Sequence, residues 1–151
     1  ITSYDGVEPS GNSNAALAFL RLAAYRVEPT FEEKAVKIFL TFYDELMEYG
    51  LNVSHMMQSL HLFLGGLKEV AVVGRRGESS TEAMLKFLRK EFFPQAVIAF
   101  ADEKDVAQIN IPLLKNREMV DQKVTAYVCQ KGTCQVPVTS VEKLQALLDK
   151  D

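Results

Sequence analysis

Two carboxylates stand three residues apart in the polar opening of the chain, Asp5-Gly6-Val7-Glu8-Pro9-Ser10-Gly11-Asn12-Ser13. Asp5 and Glu8 are the candidate acid/base pair, since two neighbouring carboxyls can divide proton donation and acceptance between them. Ser10 and Asn12 are candidate ligand-binding residues. Backbone donors at the start of a following helix, with those side chains, could hold an anion or a sugar hydroxyl. The plainer reading of the same stretch is a turn closed by a helix cap, because Ser and Asn side chains accept from the first N–H groups of a helix. Spacing alone favours the cap.

Cys129 and Cys134 flank Gln130-Lys131-Gly132-Thr133. On a hairpin they would face each other, and a redox-active or structural disulfide forms if their side chains converge. The spacing is not the C-x-x-C that helps lower a thiol pKa, and a zinc site would need further ligands that are not nearby. Unpaired structural cysteines are the preferred reading. Gly74-Arg75-Arg76-Gly77 lies between a strand and a helix, a place where α/β proteins hold phosphate. It lacks both the G-x-G-x-x-G fingerprint and the P-loop lysine, so an ordinary turn is expected. His55 and His61 are six residues apart and fall on different helix faces, unlike the i, i+4 pair of a metalloprotease helix. With no Ser/His/Asp triad, nucleotide motif or metal cluster in view, no metal and no cofactor are expected, and whether the chain is an enzyme stays open.

The elements that must position these residues fall into two parts, 1–66 and 67–151. The first part is helical. Ala15 to Ala24 is apolar almost all round, as in a helix buried on most sides. A second helix starts at a Thr30/Glu33 capping box and carries Ala35, Ile38, Phe39, Phe42, Leu46 and Tyr49 on one face, closing at Gly50. A third runs from about Ser54 to Leu64, and the short connections predict antiparallel neighbours. In the second part, Glu69–Val73 and Ala96–Phe100 read as strands around a helix that starts at Ser79/Glu82. That order predicts a parallel pair. Residues 102–122 are weakly patterned and read mostly as loop. Val124–Cys129 and Gln135–Val138 read as a hairpin, and a last helix follows the Thr139/Glu142 box. The fold class is therefore α+β or α/β, with a mostly parallel small sheet ending in a hairpin and a helix.

Composition narrows the function classes. Hydrophobic residues make up 48% and charged residues 25% of 151, with a net charge of −3; this is ordinary globular material. Lys and Arg form no stripe that would neutralise phosphates, which argues against nucleic acid. No apolar run approaches the roughly 20 residues of a membrane span. With two cysteines and no disulfide framework, a reducing cytoplasmic setting is expected. Ile1 is not an initiator methionine, and a buried-looking helix begins a few residues later. A C-terminal piece of a larger protein is therefore expected.

Three segments together resemble a known family: Asp5 to Ser13, Lys68-Glu69-Val70-Ala71-Val72-Val73-Gly74, and the stretch from Ala126 through Cys129 and Cys134 to Thr139. They are similar to the end of the spermatogenesis-associated, thioredoxin-domain-containing proteins. The resemblance implies that the first three helices finish an α/α toroid like that of N-acylglucosamine epimerases. It further implies that a thioredoxin-like domain and the rest of the toroid lie upstream, as partners within one protein. The Asp5–Asn12 loop would then face a cavity for a carbohydrate ligand, and the chain would contribute to sugar binding or isomerisation. The alternative is an accessory or interaction module supporting the thioredoxin-like domain. The match at Cys129 and Cys134 supplies no role. A piece cut from such a toroid would expose apolar helix faces and is expected to form a homodimer.

Overall fold

The computed structural model describes residues 2–149. The chain divides into two compact units, Ile1–Leu67 and Lys68–Asp151, each with its own hydrophobic core.

The first unit is helical: α1 (Gly11–Arg26), α2 (Pro29–Thr41), α3 (Tyr43–Glu48), a 3₁₀ turn at Gly50–Val53, and α4 (Ser54–Gly65). Its core gathers Ala16 and Leu20 of α1 with Ala35, Phe39, Phe42, Leu46, Val53 and Met56. α1 packs against both α2 and α4. Helix α2 begins with a proline in its first turn, where the missing N–H is no loss. The expected Thr30 cap does not form. The helix starts one residue earlier, and the Thr30 hydroxyl donates to Glu28 Oε1 at 2.7 Å. The single helix expected through Tyr49 is interrupted at Phe42 (φ −110°, ψ 28°). The ladder nonetheless carries across, Phe42 N–H to Ile38 and Leu46 N–H to Phe42. Gly50 opens the 3₁₀ turn rather than closing a helix.

The second unit is a four-stranded sheet with two helices: β1 (Lys68–Gly74), α5 (Ser79–Lys90), β2 (Ala96–Asp102), β3 (Thr125–Gln130), β4 (Thr133–Cys134) and α6 (Val141–Leu148). Strand order is β2-β1-β3-β4. β1 and β2 are parallel, as their strand-helix-strand order predicts, but β1–β3 and β3–β4 are antiparallel. The sheet is thus mixed rather than mostly parallel. The reason lies in residues 103–124, where a 3₁₀ turn at Pro112–Leu114 stands in place of a crossover helix. A parallel strand needs a connection that returns the chain to the opposite end of the sheet. Without one, β3 starts at the end where β2 finishes, with Thr125 opposite Val73.

One sheet face carries Val70, Val72, Ala126 and Val128 and packs on Met84, Leu85 and Leu88 of α5 and Leu144 and Leu148 of α6. The 3₁₀ turn, with Leu113 and Leu114 buried, lies against β1 and β2. The helix starts here also differ from the capping boxes expected. Glu78 is the N-cap of α5 and makes no side-chain cap, while Glu82 accepts from Gly77 N–H at 3.3 Å. Ser140 rather than Thr139 caps α6, accepting from Lys143 N–H. At its other end Lys68 Nζ, buried, donates to Leu148 C=O at 2.7 Å. A cation on the last carbonyls of a helix stabilises it.

Candidate functional site

The opening loop is built around Asp5. Its Oδ1 accepts from Ser10 N–H at 2.7 Å, and its Oδ2 accepts from the N–H groups of His55 and Met56 at 2.8 and 3.3 Å. The carboxylate therefore caps the first turn of α4 from fifty residues away, where a helix offers unpaired donors and a favourable dipole. Burial pushes the Asp5 carboxyl up. Hydrogen bonds from Ser10, Ser13, His55 and Met56 oppose it and hold the group below the usual carboxylate range.

Ser10 caps α1. Its Oγ accepts from Ser13 N–H at 3.1 Å and lies 2.8 Å from Ser13 Oγ, with both serines buried. Asn12 Nδ2 donates to Thr2 C=O at 2.8 Å. Asp5, Ser10 and Asn12 thus spend their polar atoms on the chain itself. Glu8 stays exposed, as does Tyr4 on the same loop. On α4, His61 is exposed, and His55 Nε2 is buried without a hydrogen-bond partner among the described residues.

The βα turn is also closed on itself. Arg75 donates from Nε and Nη2 to Glu103 at 2.6 and 3.3 Å, from Nη1 to Glu78 at 3.4 Å, and from Nη2 to Gln122 Oε1. Asp102, at the end of β2, accepts from the backbone N–H groups of Arg76 and Lys104, which hold its carboxyl below the usual range. The Arg76 guanidinium lies over the Phe100 ring. With the Arg75 guanidinium and the Arg76 N–H taken by neighbouring carboxylates, the segment is arranged as the ordinary turn expected.

The third cluster overturns the reading of unpaired cysteines: Cys129 and Cys134 are joined by a disulfide. They sit opposite each other across β3 and β4. The two strands meet at a two-residue turn in which Lys131 and Gly132 both have positive φ, the primed geometry that matches strand twist. Cys129 is buried and Cys134 exposed. Arg117 Nη2 lies 3.5 Å from Cys129 Sγ and 3.6 Å from Cys134 Sγ. Its guanidinium stacks over the Tyr127 ring, and its Nε is buried without a hydrogen-bond partner among the described residues. The Tyr127 hydroxyl donates to Glu118 C=O at 2.8 Å and accepts from Glu118 N–H, pinning the segment that carries Arg117. Glu69, on β1, stands opposite Cys129 in register. Burial pushes its carboxyl up, and the Arg117 charge pulls it back in part. Sequence reasoning missed Arg117 and Glu69. Glu69 left a faint signal, a carboxylate at the head of the apolar run Val70-Ala71-Val72-Val73; Arg117 left none.

No group of three or more His, Cys, Asp or Glu arranged to hold a metal occurs among the described residues. No helix of the described residues is long and apolar enough to cross a membrane.

With the geometry in place, comparison with known proteins gives one consistent result. The chain is 27% identical over 146 residues to human spermatogenesis-associated protein 20 and 26% identical to the rat protein. It resembles that family. The match covers 95% of this chain and 19% and 18% of the two relatives. An uncharacterised protein of Caenorhabditis elegans is 24% identical over 99% of the chain and 20% of its own length. The chain thus spans about a fifth of the relatives it matches, consistent with a C-terminal region of that family. The resemblance drawn from the three motifs is borne out. No family model and no solved structure matches the chain.

Proposed function

We propose that the chain is a non-catalytic packing module of a longer protein, supporting that protein's other domains. The supporting observation is a second apolar stripe on α2 and α3. Ala35, Phe39, Phe42 and Leu46 face the core, whereas Leu40, Tyr43 and Met47, each one residue after a core position, are 67%, 55% and 68% exposed. Both sets step by three and four residues, the spacing of one helix face. Leu51 and Leu64 of the same unit are exposed as well. Apolar surface presented so regularly marks an interface. The relatives are about five times as long as this chain, so the remainder of such a protein is the natural occupant. In this reading the occupants are the toroid and thioredoxin-like domains implied by the family resemblance, and the setting is the cytoplasm. Where that remainder is missing, a second copy of the chain covers the stripe. Footprinting tests the reading: Leu40, Tyr43 and Met47 should be shielded in the intact longer protein and open in the 151-residue chain diluted to a monomer.

A second reading keeps a carbohydrate ligand at the opening loop. It is favoured by Tyr4 and Glu8, an exposed ring and an exposed carboxylate on one short loop anchored by Asp5. Such a pair can stack on a sugar face and accept from its hydroxyls. Titration calorimetry of the longer protein with aldoses and N-acetylated amino sugars checks it. Binding that weakens about tenfold in Glu8→Gln supports this reading, in line with the loss of one hydrogen bond to a charged group; heats that are absent or unchanged remove it.

A further inference from the structure

The disulfide closes a loop that needs little closing. Cys129 and Cys134 are five positions apart in the chain, and the turn at Lys131-Gly132 already pairs the two strands. In the chain-entropy account a cross-link stabilises least when the loop is short. Fold stability is therefore a poor reason for this bond, whereas its surroundings are chemically specific. One sulfur belongs to an exposed residue of a two-residue strand at the sheet edge, and the other to a residue 3% exposed. A guanidinium reaches both sulfurs, from a segment pinned through Tyr127. Positive charge beside a sulfur favours the thiolate, and thiolate stability governs both attack and departure in exchange.

We propose that Cys129–Cys134 is a thiol–disulfide exchange site whose co-reactant is a dithiol, with Arg117 stabilising the departing thiolate. A thiolate of the dithiol attacks Cys134 Sγ, the accessible sulfur. A bond forms between the dithiol sulfur and Cys134, the Cys129–Cys134 bond breaks, and Cys129 leaves with the electron pair beside Arg117. The second thiolate of the dithiol then attacks its own partner sulfur, releasing Cys134 as thiolate and closing the oxidised dithiol. The protein disulfide is reduced, the dithiol is oxidised by two electrons, and the two protons of the dithiol end on the two cysteines. Glu69, opposite Cys129 in register, is the neighbouring carboxyl through which the inner proton can pass.

The test is the rate of reduction by dithiothreitol at neutral pH, read by alkylation and mass spectrometry, in the wild-type chain, Arg117→Gln and Arg117→Lys. The expected result is reduction without denaturant in the wild type, slowing of about tenfold in Arg117→Gln as the leaving thiolate loses its partner, and a near-native rate in Arg117→Lys. Equal rates in wild type and Arg117→Gln, or reduction that requires denaturant, would overturn the proposal. Should Arg117→Gln disturb the hairpin, Cys134→Ser gives an independent reading. The Cys129 thiol pKa, followed by thiolate absorbance, should lie lower in Cys134→Ser than in Cys134→Ser combined with Arg117→Gln, whereas Cys134→Ser combined with Arg117→Lys should stay near Cys134→Ser. An unchanged thiol pKa across the three contradicts the role of Arg117.

Discussion

One carboxylate serves two helix starts. Asp5 takes the Ser10 N–H just ahead of α1 with one oxygen and the first turn of α4 with the other. Because its folded pKa is depressed, its contribution is fully present above the unfolded value of about 3.9 and is lost as pH falls through the folded value. Asp5→Asn should therefore cost about 1–2 kcal/mol at neutral pH, the range for a lost cap. The deficit should shrink in acid, where the wild-type carboxyl is protonated too. Hydrogen exchange at the His55 and Met56 amides reads this locally; unaltered protection in the variant would show that the cap is dispensable. The Ser10 cap was legible in the sequence because its donor is three residues away. The link from Asp5 to His55 was not, since local patterns carry no information about a partner fifty residues on. The Cys129–Cys134 bond lay between these cases: the hairpin pattern put the residues near each other, and only their register put them in contact.

At the scale of elements, runs such as Glu69-Val70-Ala71-Val72-Val73 and the α5 face made existence and type plain, while direction and exact starts were not. The orientation of β3 depended on whether residues 103–124 hold a crossover helix, and their weak pattern gave no sign either way. N-caps moved by one or two residues, to Glu28, Glu78 and Ser140 in place of Thr30, Ser79 and Thr139, because cap-forming side chains crowd these boundaries and Pro29 favours the first helical position. The close approach of β1 to α5 was also hidden. A Cβ built on Gly74 would lie 2.7 Å from Thr81 Oγ1 and 2.9 Å from Val124 Cγ2, both on fully buried residues. Gly74→Ala should therefore destabilise the second unit by about 1–3 kcal/mol through overpacking. Urea denaturation followed by a probe in that unit checks this, and a midpoint unchanged from wild type would mean the strand and helix can part freely.

For the whole molecule, each unit has its own core, yet the first leaves Leu40, Tyr43 and Met47 in water. A helix with one apolar face buried and a neighbouring one bare supports the proposed packing against the rest of a longer protein. The sequence showed the helices and their core stripe. It could not separate the two stripes, because hydrophobicity alone does not say which neighbouring surface lies in the same chain. Methionine oxidation makes the distinction measurable, since an accessible thioether converts readily to the sulfoxide. Brief peroxide or hydroxyl-radical labelling of the intact longer protein and of the 151-residue chain compares Met47 in each. Met47 should form the sulfoxide readily in the dilute 151-residue chain and be strongly shielded in the intact protein; equal labelling in both would contradict the proposed interface.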